Sequence, residues 1–296
     1  MKQMNFKKID NNMTLINYEG SESMVTVPDM IDDCPVTAIG AKAFLSCKTV
    51  TGLTLPPSVS HIGDWAFAHM KQLTRLTLTA RSYTLGKDIF LDCPCLQEIV
   101  LTQDTSGNDA LSRLLASTIT LLKAPSLFRP EHAGSQEHHA AWMASYDEAL
   151  LTFLAAPDDE GFQPVFYGWF NDEDAEATQH PAYIASRRKD KVVLAFLRLS
   201  QPLHLESHAR EVLSAFLRDE MFCPGADSLV WQIYLKEYVQ DIRYAHMLLD
   251  CGCITPGLLP ELLPELTEQN AEAAALFLKQ SQEWSTEKDF FDDFAL

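Results

Sequence analysis

The sequence predicts an α+β chain in two parts. A short repeat solenoid comes first, with an N-terminal β-hairpin cap, about three 23-residue turns and a parallel sheet; an all-α array of helical hairpins follows. Three observations predict this. One apolar pattern recurs at a fixed step between Ile39 and Leu101, two β-prone runs stand before it, and beyond residue 125 the apolar spacing changes to three and four.

The repeat is read column by column. Ile39-Gly40 returns as Ile62-Gly63 and as Leu85-Gly86, each 23 residues on. Phe44, Phe67 and Phe90 keep the same step, as do Cys47, Met70 and Cys93, then Val50, Leu73 and Leu96. Leu53/Leu55, Leu76/Leu78 and Ile99/Leu101 complete the pattern. A period in the twenties without insertion belongs to leucine-rich-repeat solenoids.

Within one copy, Leu53 and Leu55 alternate with Gly52, Thr54 and Pro56, so this stretch is a short strand with both leucines facing the core. Thr54, Arg75, Thr77, Thr79, Glu98, Val100 and Thr102 then point outward from a parallel sheet, and they are the candidate partner-binding face. The glycine of the Ile-Gly pair is expected to make a tight bend, and Asp64 to Phe67 a short helical turn that drives the phenylalanine inward. One copy cannot bury its Phe and Leu columns alone, so copies stack. At roughly 4.8 Å per strand, three turns make a stack on the order of 15 Å long, which needs a cap at each end.

The stretch from Val27 to Leu78 resembles the bacterial surface-antigen, or BspA-like, class of leucine-rich repeats. That family's Ile-Gly, Ala-Phe, Cys and Leu-x-x-Leu-x-Leu-Pro elements map onto Ile39-Gly40, Ala43-Phe44, Cys47 and Val50 to Pro56, and again onto Ile62-Gly63, Ala66-Phe67 and Leu73 to Leu78. The third copy departs, with Ile89-Phe90 in place of Ala-Phe and Tyr83 ahead of its glycine. The resemblance covers about the first third of the chain. It implies a binding or scaffold role, in some members adhesion at a cell surface, and brings no catalytic residues.

Met13 to Tyr18 and Met24 to Val27, on either side of a Gly-containing turn, are expected to pair as the capping hairpin. After Leu101 the pattern fades: Gln103 to Asn108 is polar, Ala110 to Leu122 reads as a helix or as one more irregular turn, and Ala124 to Gly134 carries two prolines. The expected division is a leucine-rich-repeat domain over 1–125 and an all-helical domain over 126–296.

Helical spacing starts near Glu137 with Trp142, Tyr146, Ala149, Leu150 and Phe153. Further helices are expected over Pro181 to Leu199, Ser207 to Phe222, Leu229 to Val239, Ile242 to Leu249, Pro256 to Thr267 and Ala271 to Glu283. Asp241 to Gly252 and Ala271 to Lys279 are similar to the second helix of an ankyrin-type repeat, with Ala245/Ala275 and Leu248/Leu278 both 30 apart. The Thr-Pro-Leu-His tetrapeptide of that repeat is missing, so degenerate helical repeats are the expectation. The aromatic run Phe162 to Phe170, with Phe166, Tyr167, Trp169 and Phe170 nearly contiguous, reads as a helix junction before it reads as a ligand wall. The acidic, Phe-rich tail Asp289 to Leu296 reads as a cap on the last helix before it reads as a peptide motif for another protein's groove.

The 296 residues carry a formal net charge of −18, with 47% apolar and 22% charged residues. Such a balance disfavours contact with nucleic acid or anionic lipid, which relies on Lys and Arg. The triplet Arg187-Arg188-Lys189 reads as a solvated helix start. Met1 to Asn12 lacks the apolar core of a signal peptide, and no apolar run is long enough to span a bilayer. Seven cysteines are an odd number, and Cys47 and Cys93 share a column with Met70, which marks them as buried apolar residues in a reducing compartment. A cytoplasmic protein is expected, with a secreted or surface one as the alternative.

Enzyme motifs are missing: no Gly-x-Gly-x-x-Gly, Gly-x-Ser-x-Gly, His-Glu-x-x-His or Gly-Lys-Ser occurs. His132, His138 and His139 raise a metal reading, but no Cys, Asp or Glu stands at helical spacing to complete a tetrahedral site. The Cys-x-Cys pairs Cys93/Cys95 and Cys251/Cys253 fall in different expected domains. No cofactor, no metal and no catalytic residue is assigned. The leading expectation is a non-catalytic protein–protein interaction scaffold in a bacterial cell. Alternatives are an adhesin binding host protein or glycan, and an enzyme whose site near Trp169 and Phe170 has no recognised motif.

Overall fold

The computed structural model describes residues 3–102, 109–163, 172–219, 222 and 225–293. Backbone contacts divide the chain into two compact units, Met1–Ala149 and Leu150–Leu296.

The first unit opens with β1 (Gln3–Ile9) and β2 (Asn12–Glu19), an antiparallel hairpin turning at Asp10, whose φ is 52°. This corrects the expected pairing, because Met13 to Tyr18 lies in β2 and bonds β1. The run from Met24 belongs elsewhere: β3 (Met24–Thr26) pairs in parallel with β6 (Gly52–Thr54). A second small hairpin, β4 (Met30–Ile31) with β5 (Cys34–Ile39), turns through Asp32 and Asp33, both at positive φ. The Ile-Gly segments form a sheet of their own, in which β5, β7 (His61–Ile62) and β9 (Thr84–Leu85) run parallel beside β2. The Leu-x-Leu segments form the other, in the order β10 (Glu98–Leu101), β8 (Arg75–Leu78), β6, β3. This second sheet has one rung more than the 23-residue step reveals. Val25 precedes its in-register partner Leu53 by 28 residues, because the β4–β5 hairpin adds five to the first turn.

The third side of each turn is neither helix nor strand. Left-handed residues recur in two columns, Lys42/Trp65/Asp88 and Ser46/His69/Asp92, with φ between 49° and 61°. Alternate amides reach the next turn: Lys42, Phe44 and Ser46 donate to the carbonyls of Asp64, Ala66 and Ala68 at 2.9, 2.8 and 2.9 Å. The amides between them, of Ala43, Leu45 and Cys47, close bonds within their own turn. This alternation replaces the expected short helix and leaves the described amides of the segment satisfied without a sheet. The repeat glycines serve a different purpose from the expected bend. None of Gly40, Gly63 and Gly86 has positive φ, but a Cβ on Gly63 would stand 2.5 Å from the Ala41 nitrogen. They let successive turns approach.

Phe44, Phe67 and Phe90 stack with centroids 5.8 and 5.4 Å apart, and Tyr18 joins Phe44 at 5.3 Å. Phe44 and Phe67 are fully buried, as are Leu53, Leu76 and Ile99 of the strand column. At the far end, Ala110 to Leu122 resolves as α1 (Asp109–Thr120), which lies along β10 and buries Leu111, Leu114 and Leu115. A 3₁₀ turn (Pro125–Leu127), α2 (Pro130–Ala133) and the start of α3 (His139–Ala155) follow. Trp142 Nε1 donates to the Leu127 carbonyl at 2.9 Å, and the Ser117 and Tyr146 hydroxyls meet at 2.7 Å.

The regular elements among the described residues of the second unit are helices, joined by turns. Its central element is α4 (Asp172–Leu199), which starts nine residues before the expected Pro181 and holds that proline inside it. From Val192 to Leu199 the helix is buried on every side, as a helix surrounded by others must be. It packs against α5 (Ser207–Arg218), α6 (Leu229–Ile233), which runs on into a π-helical turn (Tyr234–Tyr238), and α7 (Ile242–Asp250). Both α7 and α8 (Leu259–Gln269) pack on α9 (Ala271–Asp293). Asp241 caps α7 by accepting the Arg243 amide, and Asn270 caps α9 by accepting those of Glu272 and Ala273. Cap to cap is 29 residues, and the buried counterparts of Ala245 and Leu248 are Ala274 and Phe277. Ala275 and Leu278, which the 30-residue spacing selected, are exposed, Leu278 by 47%.

Candidate functional site

The outward side of the second sheet is set by its register. Thr26, Thr54, Thr77 and Val100 fall in one row across the four strands, and Met24, Gly52, Arg75 and Glu98 in the next. Of the predicted face, Thr54, Thr77 and Val100 are half-buried, Arg75 and Thr102 are exposed, and Thr79 is buried. Thr79 is withdrawn by Tyr83: its amide donates to the phenolic oxygen at 3.1 Å, and that hydroxyl donates to its carbonyl at 3.0 Å. Its own hydroxyl lies 3.2 Å from that of Thr102.

The charged row is internally paired. Arg75 lies 3.4 Å from Glu98, and Arg113 of α1 approaches the other carboxylate oxygen at 3.8 Å. These are loose contacts of partly exposed groups, worth roughly 0–1 kcal/mol, so a partner can exchange them at little cost. Spacing alone missed Met24, Thr26 and Arg113. Met24 and Thr26 sit on the rung displaced by the five extra residues, and Arg113 arrives from a helix beyond the repeat. Met24, 64% exposed, reaches the space above Gly52.

The remaining singled-out residues are placed as follows. Cys93 Sγ donates to the Phe67 carbonyl at 3.0 Å, and burial pushes the Cys93 and Cys47 thiols up to about 11, which keeps both protonated at neutral pH. Cys93/Cys95 and Cys251/Cys253 belong to different units. His132 and His138 come together with ring centroids 5.0 Å apart, whereas His139 turns away and stacks on Trp142. Among the described residues, no three His, Cys, Asp or Glu side chains gather in a metal-holding group. The basic triplet lies inside α4 and is tied down. Arg188 donates to Asp158 at 2.7 Å, Arg187 lies over the Phe153 ring at 4.1 Å, and Lys189 pairs with Glu237. Of the aromatic run, Phe162 meets the rings of His180 and Tyr183 with centroids 4.9 and 5.5 Å away, and 164–170 lie outside the described residues; α9 carries the tail's backbone to Asp293, and 294–296 lie outside them as well. No helix among the described residues is long and apolar enough to cross a membrane.

The family model described as BspA type leucine rich repeat region matches residues 25–126 in six copies. Among solved structures the chain is similar to a leucine-rich repeat protein from Bacteroides capillosus ATCC 29799, at 30% identity over 31% of this chain and 73% of that one, with a TM-score of 0.29. It is similar also to a T. pallidum leucine rich repeat protein, at 24% identity over 34% and 48% with a TM-score of 0.29. A leucine rich cell surface protein from Faecalibacterium prausnitzii A2-165 matches at 28% identity over 34% and 30%, with a TM-score of 0.30. The chain thus spans about half the length of the T. pallidum protein and less than a third of the Faecalibacterium one. No curated protein matches it. Residues 25–126 form a BspA-type leucine-rich-repeat region.

Proposed function

We propose that the protein is a non-catalytic protein–protein interaction scaffold that engages its partner through the outward side of the β10-β8-β6-β3 sheet. The carrying observation is the two-row surface of that sheet, Thr26/Thr54/Thr77/Val100 beside Met24/Gly52/Arg75/Glu98, held in register by four parallel strands. Short side chains on a rigid sheet expose backbone-spaced polar groups without an ordering cost, and one arginine and one methionine stand clear of them as anchors. Residues of this kind also leave the stack itself indifferent to their replacement, so the surface is free to be specialised. We place the protein in a reducing compartment, which its six described free cysteines fit.

The test is affinity capture from a lysate of the producing organism, with the intact chain and an Arg75→Ala/Thr77→Ala/Glu98→Ala variant as baits, read by mass spectrometry. A stoichiometric partner held by the first and lost by the second is expected. Equal retention by both baits would remove the sheet from the binding role.

A further inference from the structure

We propose that the outer face of α9, with Leu263 of α8 beside it, docks an amphipathic helix of another protein whose polar flanks are rich in Lys and Arg. The 29-residue step that carries the cap of α7 onto the cap of α9 also pairs their side chains one by one. Tyr244, Ala245 and Leu248 are buried, and so are their counterparts Ala273, Ala274 and Phe277. These positions face the body of the unit. Other pairs differ: Met247 is buried where Leu276 is half-buried, and Leu249 is half-buried where Leu278 is 47% exposed. In the helices just before them, the same step sets Tyr234, fully buried, against Leu263, half-buried.

The helix α7 packs on both α4 and α9, whereas α9 packs on α7 and on α8, its own hairpin mate. Side chains covered in the first copy and uncovered in the second are therefore those that a following helix shields. On α7 the shield is α9, so a helix is the shape that fits the open face. A stack of helical repeats that ends in water carries polar residues on its last outer face. Here Leu276 and Leu278 stand there instead.

Charge selects among the helices that could fit. Among the described residues of α8 and α9, Glu261, Glu265, Glu268 and Glu272 are exposed against one exposed cation, Lys279. Residues 150–296 hold 25 Asp and Glu against 11 Lys and Arg, a net charge of −14. A second copy brings the same acidic helices and is repelled. A helix flanked by Lys and Arg is drawn in, and its apolar stripe covers the leucines at spacings of three and four.

The experiment titrates the full chain into a fluorescein-labelled amphipathic peptide with Leu on one face and Lys on the other, read by fluorescence anisotropy. The peptide has roughly 18 residues, or about five helical turns, and a Leu/Glu version is the charge control. Saturable one-to-one binding of the Leu/Lys peptide is expected. Leu278→Asp should weaken it about tenfold or more. Leu203→Asp, at an equally exposed leucine outside α8 and α9, should leave it unchanged. Circular dichroism establishes that both variants are folded, which exposed positions permit. No binding of the Leu/Lys peptide, binding that survives Leu278→Asp, an equal loss in Leu203→Asp, or equal binding of the Leu/Glu peptide would overturn the site. So would a wild-type dimer in sedimentation that Leu278→Asp dissociates, because the face would then belong to a second copy.

Discussion

The ring of Phe128 meets that of Phe90 edge-on, at 5.8 Å and 83°, where every ring pair before it in the column is stacked or tilted by no more than 36°. An edge-on ring ends a stack instead of extending it. Tyr18 closes the other end, so five aromatic rings span the first unit from cap to cap. Replacing Phe67 by Ala, in the middle of the column, should cost about 3–5 kcal/mol. Phe128→Ala should cost less and Phe128→Leu less again, since only one neighbouring ring is lost. Denaturant titration followed by circular dichroism gives the ranking; an equal loss for Phe67→Ala and Phe128→Leu would contradict it.

Gly63 and Gly86 are required by the approach of one turn to the next. A Cβ at either would meet backbone atoms of the preceding turn, which cannot yield as a side chain does, whereas one at Gly257 would meet nothing within 4 Å. Gly63→Ala should therefore destabilise by about 1–3 kcal/mol. Gly257→Ala should stay within about 0.5 kcal/mol of the wild type or stabilise it slightly. Melting temperatures of the two variants side by side provide the comparison.

Asp158 holds two cations of α4. Burial of its carboxyl alone would raise its pKa, but the hydrogen bonds from Arg188 and Lys191 outweigh that, and the net direction is down. A carboxylate with a depressed folded pKa contributes stability that is present above the ordinary Asp value, roughly 3.9, and lost as the pH falls through the folded value. Asp158→Asn leaves Lys191, 3% exposed, donating to the Ala156 carbonyl at 2.6 Å without its carboxylate partner. The variant should lose more than the roughly 0–1 kcal/mol of an exposed pair at neutral pH. The gap to the wild type should narrow below about pH 4. Urea titrations at pH 7 and at pH 3.5 would show it, and a gap independent of pH would refute the assignment.

Tyr83→Phe removes the two hydrogen bonds between the phenol and the Thr79 backbone. The Thr79 carbonyl keeps the Arg81 amide at 2.9 Å, so the loss falls on the buried Thr79 amide and is worth about 1–3 kcal/mol. Arg75→Ala, at a half-exposed side chain in a loose pair, should change stability by no more than about 0.5 kcal/mol. Both are read by thermal melting. A Tyr83→Phe variant as stable as Arg75→Ala would show that Thr79 is not held in this way.

The outer edge of β1 pairs with no described strand, and Lys7 and Lys8 sit on it, both exposed. Lysines on an edge strand deter a second strand from adding. Lys7→Val/Lys8→Val should form larger species than the wild type at the same concentration in size-exclusion chromatography. Identical elution would leave the edge guarded by something else.

The repeat was legible because its columns never slip between Ile39 and Leu101. The same regularity hides the first rung: Val25 and Val27 are in register with the strand column, but five inserted residues break the step, so sequence spacing pairs both with Met13 to Tyr18 instead. Left-handed backbone at Trp65 was invisible for another reason. The alternating bonds between turns demand that conformation, against the preference of a bulky side chain, and of those columns His69, Asp88 and Asp92 are the residues that hint at it. In the helical unit, the caps Asp241 and Asn270 were readable as cap residues, and aligning on them in place of Ala275 yields the 29-residue spacing. Of the candidate face, the rows were readable from alternation, whereas the withdrawal of Thr79 depends on a tyrosine four residues away whose ring direction no spacing encodes.

The β4–β5 hairpin has a use that its size conceals. Strands on two sides of the first turn keep their partners in the second, while the extra chain bulges out at the corner between them. That corner is a natural port: a foreign loop spliced between Asp32 and Asp33 would leave the body of the stack as an undisturbed pedestal, and would be displayed from it at a fixed height and orientation.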